Sequence, residues 1–159
     1  MKLRLNEIRE KRDLSQRKTA IKLHISKSYY NYFETGERII PLPRLNDFCN
    51  LFHVDFDYAL GLTNHNILTK ELKKLDKKLI GERIKEIRKL KKLTQNGLAK
   101  LVNTTQSTIS SYENGNTIIL TAFLYEMCLK LDVSMNYIVG KTNTIKTIIK
   151  SWNKDFFYL

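Results

Sequence analysis

Gln106, Ser107, Ser110 and Ser111 lie within one short stretch of helical pattern, and their amide and hydroxyl groups are the kinds that pair with the edges of DNA bases. They belong to the segment Leu93 to Gly115, LTQNGLAKLVNTTQSTISSYENG, which reads as two short helices joined by a turn. Thr94 supplies the N-cap of the first helix, on which Leu98, Ala99 and Val102 share one face. Ile109 and Tyr112 turn toward the same core from the second. The polar residues are left on the outer side, where they serve recognition rather than packing.

Charge and composition bound the partners of such a face. The 159-residue chain carries a formal net charge of +12, and 42% of its residues are hydrophobic, enough for one or two small globular cores. A basic balance of this size favours a polyanion, either nucleic acid or an anionic membrane surface, and charge alone does not choose between them. No apolar run reaches the roughly 20 residues that a bilayer-spanning helix needs. The opening MKLRLNEIREKR places charges where a signal peptide would be apolar, so a soluble, cytoplasmic protein is expected. Cys49 and Cys128 each sit within a helical apolar pattern, and His24, His53 and His65 have no second ligand at helical spacing. No metal site and no cofactor are expected.

The elements that must hold this face appear twice. Sliding the chain along itself sets residues 1–64 on residues 80–143 without a gap. Arg4, Glu7, Ile8 and Arg9 fall on Arg83, Glu86, Ile87 and Arg88, and Glu34 with Gly36 falls on Glu113 with Gly115. Tyr58, Gly61, Thr63 and Asn64 fall on Tyr137, Gly140, Thr142 and Asn143. Each copy reads as five short helices. Ser15 and Thr94 cap the second, His24 and Asn103 make the corner after it, Ser26 and Thr105 cap the third, and Gly36 and Gly115 stop it. Pro41 and Pro43 keep the following loop of the first copy extended, and Val54 and Val133 begin a last short helix. No segment alternates with a period of two, so the predicted class is all-α, with no sheet.

Between the copies, residues 65–79 place Leu68, Leu72, Leu75 and Leu79 at helical spacing among five lysines, which predicts an amphipathic helix interrupted by Gly81. Its apolar face calls for cover by one of the chain's own domains or by a homodimer contact. Lys70, Lys73, Lys74, Lys77 and Lys78 form either a solvated face or a contact to phosphates between two half-sites. The tail, residues 144–159, carries Ile145, Ile148, Ile149, Trp152, Phe156 and Phe157 and is expected to dock on the second domain or on a second protomer. Gln16 and Gln95 open the second helix of each copy, where a side-chain amide and unpaired backbone N–H groups suit a phosphate oxygen.

Both copies resemble the lambda-repressor-like, or XRE-type, helix-turn-helix family of DNA-binding regulators. LTQNGLAKLVNTTQSTISSYENG carries the resemblance most fully, and LSQRKTAIKLHISKSYYNYFETG keeps the frame with Thr19 where the family has a leucine. The resemblance implies that the third helix enters the major groove of double-stranded DNA while the second crosses the backbone. Gln106, Ser107 and Ser111 are then the base readers of the second copy, and Lys27, Ser28 and Tyr32 those of the first. It further implies backbone contacts from Arg38, Asn116 and Thr117, with no cation among them in the second copy. It also implies partly buried ion pairs of Arg9 with Glu34 and Arg88 with Glu113. The expected function is a sequence-specific DNA-binding transcriptional regulator, a repressor with two readers on one chain. The alternative is a protein-interaction module or antitoxin-like regulator, in which the first copy, rich in Tyr29, Tyr30, Tyr32 and Phe33, binds a protein and only the second binds DNA. Lacking a phosphate loop, a metal cluster and a nucleophile with a base, the chain is not expected to be an enzyme.

Overall fold

The computed structural model of the protein describes residues 3–67 and 74–145, and among them every regular element is helical. The first copy comprises α1 (Leu5–Glu10), α2 (Gln16–Lys22), α3 (Lys27–Thr35), α4 (Leu42–Phe52) and α5 (Phe56–Ala59). The second comprises α6 (Lys77–Leu90), α7 (Gln95–Leu101), α8 (Gln106–Glu113), α9 (Thr121–Leu131) and α10 (Met135–Ile138). Most are shorter than the roughly 12–15 residues at which a helix begins to hold alone in water, so packing must stabilise them. Leu5, Tyr30, Phe33, Leu45, Phe48 and Phe56 are fully buried in the first copy, as are Ile84, Ile87, Leu98, Ile109, Leu124 and Met127 in the second. Each such side chain contributes about 1.5–3 kcal/mol on burial.

Local chemistry sets the frame as the sequence reads. Ser15 and Thr94 accept hydrogen bonds from the Lys18 and Gly97 N–H groups, and Ser26 and Thr105 do the same for Tyr29 and Thr108. His24 and Asn103, at φ 54° and 58°, take the left-handed conformation of the corner between the second and third helices. Arg9 bonds Glu34 at 2.7 Å and Arg88 bonds Glu113 at 2.5 Å, with both carboxylates almost wholly enclosed. Burial opposes ionisation of Glu34, yet donors on Arg9, Tyr30 and Gln16 hold its carboxyl below the usual range. Glu113 is likewise held low against burial, by Arg88 and Gln95. The sulfhydryl groups of Cys49 and Cys128 are free and enclosed, and burial pushes both thiols up.

Four expectations are corrected. Residues 65–79 are not one helix: 65–67 and 74–76 are non-helical, and 77–79 are the first turn of α6, because Asp76 caps the Lys78 and Leu79 N–H groups. Residues 68–73, with Leu68, Leu72, Lys70 and Lys73, lie outside the described residues, as do 146–159 of the tail. Gly81 does not interrupt a helix; it lies inside α6, buried, because a Cβ there would stand 2.3 Å from the Tyr112 carbonyl oxygen. A residue with a side chain would therefore push α6 off α8. Pro43 is not in the extended loop but in the first turn of α4, where the missing N–H costs no helical bond; Pro41 keeps extended backbone as N-cap. The last helices also start two residues beyond Val54 and Val133, after Asp55 and Ser134, whose side chains cap them.

The two copies pack against each other through α5 and α10. The Phe56 N–H donates to Asn136 Oδ1 at 2.9 Å, and the Met135 N–H donates to Asp57 Oδ1 at 2.7 Å. Thr121 Oγ1 donates to the Ile40 carbonyl, and Lys141 reaches Asn50. Ile145, the last apolar residue described, accepts from the Ser134 N–H through its carbonyl and packs on the core.

Candidate nucleic-acid interface

The outer face of the second copy is a connected polar surface. Gln95, at the start of α7, donates through Nε2 to Glu113 Oε2 at 2.9 Å and accepts through Oε1 from Gln106 Nε2 at 2.6 Å. The phosphate candidate and the first base-reading candidate are therefore tied together, and both to the ion pair that joins α6 to α8. Ser107 shares a hydroxyl contact of 2.9 Å with Thr105, the cap of α8, and is exposed. Ser111 and Thr117 meet at 3.0 Å across the end of α8, and Asn116 is exposed beside them. The candidates so form two groups, Gln95 with Gln106 at the N-terminal end of α8 and Ser111 with Thr117 and Asn116 at its other end.

No cation stands at the end of α8 in the sequence, but the fold brings two there. Lys77 Nζ donates to the Asn116 carbonyl at 3.3 Å, and the backbone of Lys78 crosses directly over Gly115. Gly115, at φ 66°, has to be glycine both for that angle and for the space, since a Cβ would stand 2.9 Å from the Lys78 Cα. The early start of α6 thus places two lysines beside the candidate phosphate contacts of the second copy. Reading Lys77 and Lys78 as part of a separate linker conceals this.

In the first copy the same positions are filled differently. Lys27 and Ser28 are exposed at the start of α3. Tyr32 is half-buried beneath the Arg38 guanidinium, 4.8 Å from its ring centre, so this base-reading candidate and this phosphate candidate stack on each other. Gln16 donates to Glu34 at 2.8 Å and to Asn31 at 3.0 Å, which makes Asn31 a member of the surface. Asn31 is absent from the sequence-derived candidates, although it lies one turn beyond Lys27 on the same face of α3. Of the four aromatic residues on this helix, Tyr30 and Phe33 are core, and Tyr29 packs edge-on against Phe33 with centroids 4.6 Å apart. The Tyr30 hydroxyl bonds Glu34 at 2.6 Å, and burial, first, then the neighbouring carboxylate keep it protonated. Thr19 is fully enclosed, and its hydroxyl has no hydrogen-bond partner among the described residues.

Among the described residues no helix is long and apolar enough to cross a membrane, and no group of three or more His, Cys, Asp or Glu could hold a metal ion.

Family models agree with this geometry. One described as "Helix-turn-helix" matches residues 84–138, and one described as "Helix-turn-helix domain" matches residues 3–57; together they span more than two thirds of the chain. The antitoxin PezA of Streptococcus pneumoniae serotype 4 is 34% identical over 70 residues, which are 44% of this chain and 44% of that protein. The chain thus spans less than half the length of this curated relative. Among solved structures, the P22 c2 repressor protein in complex with a synthetic operator is 30% identical, covering 40% of this chain and 96% of that one, with a TM-score of 0.38. The restriction-modification controller protein C.AhdI from Aeromonas hydrophila is 25% identical at the same coverage and the same TM-score.

Proposed function

The chain belongs to the helix-turn-helix family of DNA-binding regulators, with two lambda-repressor-like (XRE-type) domains in tandem, and from this we propose that it is a sequence-specific transcriptional repressor reading two half-sites of one duplex. Helices α3 and α8 are its recognition helices. In the second copy Gln106 reads adenine or a similar edge bidentately, with Ser107 and Ser111 adjusting, while Gln95, Asn116, Thr117, Lys77 and Lys78 hold phosphates. In the first, Lys27, Ser28 and Tyr32 face the bases, and Gln16 and Arg38 the backbone. A chain that fills the major groove at adjacent half-sites excludes competing proteins from that stretch, and such exclusion is repression wherever the stretch overlaps a promoter.

The observation that carries the two-reader proposal is the reciprocity of the contact between α5 and α10. Phe56 bonds residue 136 as Met135 bonds residue 57, and each pair maps on the other under the offset that relates the copies. Contacts of this kind belong to two-fold pairing, in which each partner uses the same patch. The readers on a two-fold pair address inverted half-sites. Because the reader residues differ between copies, the half-sites are inverted in direction but unequal in sequence. Linking two weak readers also raises the effective concentration of the second once the first has bound.

Selection of binding sites from random duplex DNA with the full-length protein tests this. Two unequal, inverted half-sites are the expected product. Direct repeats, a single half-site or no preference over random duplex would overturn it, as would an affinity insensitive to salt.

A second reading, in which the first copy binds a protein and only the second reads DNA, has the antitoxin similarity in its favour. It needs the aromatic residues of α3 to be available to a partner, whereas Tyr30 and Phe33 are buried, Tyr29 lies on Phe33 and Tyr32 lies under Arg38. Replacing Tyr29 and Tyr32 together distinguishes the two readings. Loss of DNA affinity supports a reader, whereas loss of a protein partner with intact DNA affinity supports the second reading.

A further inference from the structure

Where α5 meets α10, an otherwise apolar contact contains four enclosed polar side chains, Asp55, Asp57, Ser134 and Asn136, each 5% exposed or less. The two from the first copy are carboxylates and the two from the second are neutral, although Asp55 corresponds to Ser134 and Asp57 to Asn136. Asp55 is held within its own copy by the Tyr58 and Ile67 N–H groups, whereas both oxygens of Asp57 find their donors across the contact. Asn136 Nδ2 donates to Asp57 Oδ2 at 2.7 Å and to Asp55 Oδ1 at 3.0 Å, and Ser134 Oγ donates to Asp57 Oδ2 at 2.5 Å. Asn136 Oδ1 is left to accept from the Phe56 N–H, so this one amide is used at both ends.

The chemistry of the opposing sides is not interchangeable. If two first copies met through the same surface, each Asp57 could still accept from the partner's Phe56 N–H, but Nδ2 and the serine hydroxyl would be missing. Four carboxylates would then be enclosed together, with like charges adjacent and the second oxygen of each Asp57 without a donor, an arrangement that desolvation makes prohibitive. A first copy facing a second copy has both the reciprocal backbone bonds and the neutral donors.

We propose that the Asp55 and Asp57 side and the Ser134 and Asn136 side form a pairing code, which commits a first copy to a second copy and closes this surface to the pairing of first copies between chains. One chain then completes the two-fold unit by itself. The inference rests on the contact between the copies and not on the DNA-binding reading.

The test is made on the full-length chain without DNA. Asn136→Asp replaces the donor amide with a third carboxylate at nearly constant shape, and is expected to raise hydrogen exchange at the Phe56 and Met135 amides by about tenfold or more while helicity is retained. The fourfold exchange Asp55→Ser, Asp57→Asn, Ser134→Asp, Asn136→Asp moves the carboxylates to the other side of the same two-fold relation and is expected to restore protection at both amides. Unchanged protection in Asn136→Asp overturns the code. So does a fourfold variant that is unfolded or no better protected than Asn136→Asp. Should Asn136→Asp itself fail to fold, a folded and protected fourfold variant still supports the code. A negative result here leaves the site-selection experiment standing, and the converse holds too.

Discussion

In the second copy the outer end of the recognition helix offers two small hydroxyls, Ser111 and Thr117, in contact with each other; in the first copy the same two positions hold Tyr32 and Arg38, stacked. One turn earlier, Thr108 stands where the first copy has Tyr29 packed on Phe33. Beneath both faces the same guanidinium–carboxylate pair joins the first helix to the third. The frame is therefore shared and the surface is not. One scaffold can carry two different readers because the caps, corner and ion pair that fix the third helix use none of its outward positions. The copies also differ in how their first helix begins. The turn of α6 that starts at Lys77 lays lysines over the end of α8, whereas α1 starts at Leu5 after an N-cap residue, Arg4, with no capping side chain.

The largest effect expected falls on the shared frame. Arg88→Ala leaves the Glu113 carboxylate enclosed without its partner and is expected to lower stability by about 3–5 kcal/mol, with Arg9→Ala costing a similar amount. Denaturant unfolding of both variants measures this. Loss of DNA binding with unchanged stability would mean that the arginine contacts DNA, contrary to its place in the frame.

Next comes the junction, where the enclosed carboxylates all come from the first copy. Burial pushes the Asp57 carboxyl up to about 6, with the bonds from Ser134, Met135 and Asn136 opposing it. A folded value above the ordinary value of about 3.9 means that the folded state holds the proton more tightly. The stabilising contribution is then complete below about pH 4 and is lost as pH rises through about 6, to the extent of about 2–3 kcal/mol. Glu34 and Glu113, held low, change in the opposite sense and only at lower pH. Stability measured from pH 4.5 to 7 should fall in the natural protein and be flatter in Asp57→Asn; equal slopes would refute the assignment.

The readers themselves come third. Gln106→Ala is expected to weaken binding by about 1–3 kcal/mol and to relax preference at one base pair. Lys27→Ala should do so at the other half-site, with the smaller change if Tyr32 and Arg38 carry part of that contact. Competition binding with duplexes altered in one half-site at a time distinguishes the two. A uniform loss across sequences for Gln106→Ala would move it to the phosphate contacts.

The smallest effect separates the two cores. Thr19 encloses a hydroxyl without a partner among the described residues where the second copy has Leu98. Thr19→Val, nearly equal in shape, is expected to raise stability by about 1 kcal/mol, detectable as a higher denaturation midpoint. No gain would show that the hydroxyl is satisfied.

Much of this protein was legible in its sequence because the signals are local. An N-cap acts through a bond three residues long, so Ser15, Ser26, Thr94 and Thr105 mark helix starts wherever they fold, and His24 and Asn103 mark the corner for the same reason. The repeat added a second reading of each position, and the ion pairs followed from the family resemblance. Helix boundaries were less legible where a distant contact decides them. Gly81 reads as a break by propensity, but it is an approach point for the carbonyls of Tyr112 and Glu113, residues about thirty positions away. Lys77 and Lys78 read as linker for lack of any local sign that they lie over Gly115.

Sequence alone determined the class, the duplication and the helices that carry the candidate readers, since these depend on periodicity and on caps. Tertiary structure decided which polar groups are joined. Gln95 bonds Gln106, Tyr32 lies under Arg38, and Asp55 and Asp57 face Ser134 and Asn136. The last set lies in the segments VDFDYAL and VSMNYIV, where polar residues two apart in apolar surroundings were a visible signal without a visible partner. A buried carboxylate is tolerable only with donors around it, and for Asp57 those donors come from about eighty residues further along the chain, a distance that periodicity does not bridge but folding does.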